Sequence, residues 1–87
     1  MSLPALFSPH RRRAEHAAAI FQARPQVLDV ATVGPGTDPT GRWVVDVVLA
    51  DDVAGFGPQL CQDASRCGLT VRQVAPQSEW WQALLVV

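Results

Sequence analysis

Apolar residues recur along this chain at two spacings, and the switches between them mark six elements. In the first stretch, His10, Ala14, Ala17, Ala18 and Phe21 share one side of a helical projection, with Ile20 on its flank. Arg11, Arg12, Glu15, His16, Ala19 and Gln22 take the other side. Ser8 can cap the free N–H groups, Pro9 suits the first helical position, and Pro25 pushes its predecessor out of the helical region. The spacing changes to two in "QVLDVATV", where Asp29 marks the outward side and assigns Leu28, Val30 and Thr32 to the core. "GPGTDPTG" is a long hairpin loop. In "RWVVDVVLAD", Asp46 sets the outward parity and turns Trp43, Val45, Val47 and Leu49 inward.

A second helix lies within residues 51–68, with Pro58 near its start and Gly68 placed for the left-handed residue after its end. Its buried stripe is Leu60, Ala64 and Cys67, with Cys61 at the edge. "LTVRQV" and "EWWQALLVV" are two further strands around the turn "APQS". The order αββαββ is the ferredoxin-like order βαββαβ with its first strand moved to the end. The expected fold is therefore α+β, a two-layer sandwich of a four-stranded antiparallel sheet with two helices on one face. In this circularly permuted ferredoxin-like arrangement the strands lie third, fourth, second, first. The fourth is then interior, which accounts for its apolar content, and its Trp80–Trp81 doublet sends one indole to each face. Parity with Gln82 assigns Trp80 to the open face and Trp81 to the core. Residues 1–7 read as a flexible leader and 8–87 as one domain, since 87 residues cannot supply a second core.

Composition narrows the function classes. The formal net charge of −1 gives no global field for nucleic acid or an acidic membrane. The longest apolar run, "WVVDVVLA", is broken by Asp46 and is too short for a membrane helix. "MSLPALF" lacks the layout of a secretory signal, so the expected location is cytoplasmic. Cys61 and Cys67 lie about 120° apart on a helix, a poor disulfide geometry, and their spacing fits no metal knuckle. Both read as small buried hydrophobes.

Candidate chemistry is sparse. Arg11, Arg12 and Arg13 are phosphate-binding candidates, but consecutive helical positions spread them into a band, not a clamp. His10 and His16 point to different sides and share no metal, so no metal or other cofactor is expected. Asp51 and Asp52 suit a helix approach better than acid–base work, and no serine stands at a triad spacing from a histidine. "GPGTDPTG" joins two strands and the chain contains no lysine, so it is not a phosphate-binding P-loop. No catalytic residue is assigned.

The open face of the sheet is the remaining surface. Parity places Asp29, Ala31, Arg42, Val44, Asp46, Val48, Thr70, Arg72, Trp80, Gln82, Leu84 and Val86 on it. An apolar patch of this kind, rimmed by charge, suits a homodimer or a protein partner. The partner-binding candidates are Arg42, Val44, Asp46, Arg72, Trp80 and Leu84. The alternative is a small ligand or nucleic acid held by Arg42, Arg72, Trp80 and the arginine run. It is not favoured, because only one central strand offers an aromatic and two aspartates share the face. The stretch "VLDVATVGPGTDPTGRWVVDVVLADD" with the closing "EWWQALLVV" resembles short uncharacterised haloarchaeal proteins. That resemblance carries no catalytic motif and implies no activity.

Overall fold

The computed structural model describes residues 9–37, 41–50, 57–77 and 79–87. The leader, Ser8, residues 38–40 of the loop, Asp51, Asp52 and Ser78 lie outside the described residues. The elements are α1 (Pro9–Gln22), β1 (Val27–Val33), β2 (Val44–Ala50), α2 (Pro58–Arg66), β3 (Thr70–Pro76) and β4 (Trp80–Val86), with a 3-10 turn at Pro35–Thr37. The strands form one antiparallel sheet in the order β1-β2-β4-β3, with the helices packed on it, an α+β fold. β4 is therefore paired on both sides.

Each element ends for a local reason. Beyond α1, Ala23 and Arg24 donate to the carbonyls of Ile20 and Phe21 in tightened three-residue turns, and Pro25 prevents a further one. α2 starts on Gly57 with Pro58 in its first turn. It closes with Gly68 donating to Ser65 and Leu69 donating to Ala64, the paired bonds of a Schellman end. Gly68 holds φ at 73°, the left-handed conformation expected for the residue after this helix.

The core lies between the helices and one face of the sheet. Across that face run three rows: Thr32–Val45–Leu85–Val71, Val30–Val47–Ala83–Val74 and Val27–Leu49–Trp81–Pro76. Val45, Val47, Leu49, Ala83 and Leu85 are fully buried against Ala14, Ala17, Phe21, Leu60, Ala64 and Cys67. The parity expected for β2 holds throughout, and Trp43 and Trp81 pack at the margin of this cluster.

Both edge strands depart from simple alternation. A register shift between Val27 and Asp29 bulges Leu28 out of β1, so Val27 is buried and Leu28 is 58% exposed. Asp29 stays outward, and its carboxylate accepts a bond from the Val30 N–H at 3.0 Å. Leu28 is thus not a core residue, and Thr32, near the end of an edge strand, is exposed although it shares the helix-covered face. A second shift between Val71 and Gln73 bulges Arg72 out of β3. Two further expectations are corrected by exposure: His10 and Cys61 both face outward. The buried stripes of the helices are narrower than the projections suggest, because each is set by a neighbour of limited width.

Candidate interaction face

The side of the sheet away from the helices is built from the other parity of the same strands. Its rows are Val33–Val44–Val86–Thr70, Ala31–Asp46–Leu84–Gln73 and Asp29–Val48–Gln82–Ala75, with the pair Ala50–Trp80 beyond them. Trp80 occupies this face and Trp81 the other, because β4 pairs with β2 in the parity that groups Trp80 with Gln82. The two central strands carry most of the apolar surface. Val44 and Val86, side by side in the first row, are buried to 6% exposure, while Val48, Trp80 and Leu84 are half-buried. The accessible apolar patch is accordingly smaller than five fully open side chains would make.

Asp46 lies near the middle of this face and is half-buried. Its carboxylate accepts from the Gln82 side-chain N–H₂ at 3.0 Å and 3.1 Å, a diagonal contact between β2 and β4. Diagonal partners on one sheet face are within reach of long polar side chains. The bond gives the carboxylate a donor from its own face, so covering it strips away less water-bonding than covering a bare charge.

The remaining candidates do not converge. Arg42 precedes β2 at the end where Val44 meets Val86, whereas Trp80 meets Ala50 at the other end. Six residues of strand separate those pairs, about 20 Å at about 3.4 Å per residue. Arg72 lies at the β3 bulge, and Gln73 takes the open-face position opposite Leu84. The arginine run is equally dispersed. Arg11 pairs with Glu15 at 2.9 Å, Arg12 is exposed, and Arg13 lies across Gly68, where an added Cβ would meet its Cδ at 3.4 Å. Arg13 thus sits at the carbonyl end of α2, a favourable place for a cation. No triple of His, Cys, Asp or Glu among the described residues is grouped to hold a metal ion, and no described helix is long and apolar enough to cross a membrane.

One ionic contact was invisible to the spacing argument. Arg24, just past α1, makes two parallel bonds to Asp63 of α2, Nε to Oδ2 and Nη2 to Oδ1, both 2.8 Å. Asp63 is 3% exposed and also accepts from Gln59. The guanidinium bonds hold the Asp63 carboxyl below its ordinary range, against the opposing effect of burial. Burial pushes the Cys67 thiol up, with Asp63 adding to the shift. The available signal was Asp63 itself, an acid within the buried stripe Leu60–Ala64–Cys67, where a carboxylate needs a partner.

No protein family, curated protein or solved structure matches this chain.

Proposed function

We propose that the protein is a non-catalytic association module whose open sheet face packs against the same face of a second copy. The supporting observation is the Asp46–Gln82 contact, which leaves the central carboxylate of an otherwise largely apolar face hydrogen-bonded before any partner arrives. Face-to-face packing is also favoured over edge pairing. β1 and β3 are each interrupted by a bulge, β3 ends on Pro76, and Asp29 occupies the Val30 N–H. An interrupted edge is a poor template for another strand.

Area sets the expected strength. Four seven-residue strands, spaced about 4.8 Å apart and rising about 3.4 Å per residue, make a face of about 19 by 24 Å. Covering it on two copies buries on the order of 1,000 Å², the lower end of specific interfaces. A reversible, concentration-dependent dimer is the outcome for a face this small.

Sedimentation velocity across a concentration series tests the proposal. The native chain should shift from monomer to dimer, and Trp80→Glu should remain a folded monomer. A native chain that stays monomeric at high concentration removes self-association through this face. Oligonucleotide binding that weakens steeply with salt would instead favour the nucleic-acid alternative.

A further inference from the structure

Two carboxylates among the described residues are drawn out of full solvent, and their partners differ in kind. Asp63, 3% exposed, is held by the Arg24 guanidinium through two 2.8 Å bonds, and that cation holds the carboxyl below its ordinary range. Asp46, half-buried near the middle of the open face, accepts from the side-chain N–H₂ of Gln82 at 3.0 Å and 3.1 Å. A guanidinium offers donors only and locks its partner in the charged state, whereas an amide carries both N–H₂ donors and a carbonyl acceptor. Turned over, the same Gln82 amide accepts a bond from a protonated Asp46. The pair is hydrogen-bonded in either protonation state, so Asp46 can take up a proton without losing its partner.

In the rows of the open face the charged members are Asp46 and Asp29. Asp29, one row along on β1, is a second negative group, bonded to the Val30 N–H. On β4 and β3 the flanking side chains are Leu84, Gln82 and Gln73, while Arg72 at the bulge and Arg42 before β2 stand outside these rows.

Face-to-face packing of two copies brings their Asp46 side chains together. Asp46 lies one residue from the midpoint of the seven-residue β2, and β2 is an inner strand. With strands about 4.8 Å apart and about 3.4 Å per residue, it stands about 4 Å from the centre of the face. A two-fold axis through that centre, in the plane between the sheets, leaves the two carboxylates within about 8 Å of each other along the face. Like charges brought together disfavour one another, and loss of water disfavours both. A neutral carboxyl escapes both costs.

We infer that Asp46 makes self-association acid-dependent: the dimer takes up a proton at this carboxyl and tightens as pH falls. This regulation rests on the association proposed above. A dimer that binds more protons than two monomers gains affinity at lower pH. The Asp63 carboxyl, held charged by Arg24, keeps α1 and α2 joined over the same range.

Sedimentation velocity of the full chain at about pH 7.5 and about pH 5, over a concentration series at matched ionic strength, is the test. The native dissociation constant should fall at least about threefold at the lower pH. Asp46→Asn removes the charge and keeps a bonding partner for Gln82. It should dimerise at neutral pH at least as tightly as the native chain does in acid, with no pH dependence. Asp29→Asn should retain the native dependence, and Trp80→Glu should be monomeric at both pH values. Equal native constants at the two pH values would overturn the inference and leave the association itself standing. A dependence that survives in Asp46→Asn, is lost in Asp29→Asn, or appears in Trp80→Glu would overturn it as well. A native chain that is monomeric at both pH values removes the association and its regulation together.

Discussion

The two faces of this sheet are made by the same four strands and differ only in parity, yet they have different physical characters. On the helix side, Val45, Val47, Leu49, Ala83 and Leu85 are wholly buried and no charge intervenes. On the other side, Val44, Val48, Trp80, Leu84 and Val86 share space with the Asp46–Gln82 pair, and three of the five apolar groups keep partial access to water. The lesson concerns what each face can lose. The covered face is stabilised by close packing, and the one charge described as buried beside it, Asp63, is paired with Arg24. The open face keeps a satisfied polar centre and can be covered or uncovered at modest free-energy cost.

The largest contrast should come from paired leucine truncations. Leu49→Ala removes a fully buried side chain and should destabilise the fold by about 3 kcal/mol. Leu84→Ala, at a half-buried position, should cost about 1 kcal/mol. Urea midpoints of the two variants measure the difference, and equal losses would mean that the open face is packed as tightly as the core.

Next in size is the contact that ties α1 to α2 over the covered face. Arg24→Gln should lower the urea midpoint clearly, because the buried Asp63 carboxylate loses a charge-assisted, two-bond partner. The same pair predicts the acid response. The folded-state pKa of Asp63 is lowered, so its stabilisation is fully present above the unfolded value of about 3.9 and is lost as pH falls through the lower, folded value. Urea midpoints taken from neutral pH to below pH 4 should therefore fall more steeply for the native chain than for Arg24→Gln. Parallel curves would assign acid sensitivity to other carboxylates.

The smallest effect is chemical. Cys61 is exposed and Cys67 is buried with its thiol pushed up, so iodoacetamide should modify Cys61 at least about tenfold faster. Mass spectrometry of the timed products reads the order directly. Equal rates would show that the seam between α2 and the sheet opens readily.

Much of the architecture was legible because single polar residues declare the parity of a strand. Asp46 sorted β2 correctly, and Gln82 separated Trp80 from Trp81. The same rule failed at Leu28, since a bulge adds one residue on one strand and no local pattern announces it. It failed again for Arg72, where a bulge between Val71 and Gln73 moved the expected position by one. The helical projections overestimated burial of His10 and Cys61 because a projection assigns a side without the width of whatever packs there. The Arg24–Asp63 contact spans 39 positions and has no sequence spacing by which it could be recognised.

The position of β4 also bears on how the molecule comes to exist. It is the last described strand along the chain and occupies the sheet between β2 and β3. Before it is synthesised, β1 and β2 can pair as a hairpin, but β3 has no described partner and one side of β2 remains unpaired. β4 joins both halves, pairing with β3 as its neighbour in sequence and with β2 over a long range, and long-range pairings are a slow kind of contact to form. A nascent chain emerging from the ribosome would carry an exposed, valine-rich edge until that insertion occurs, and chaperone demand should be concentrated in that interval.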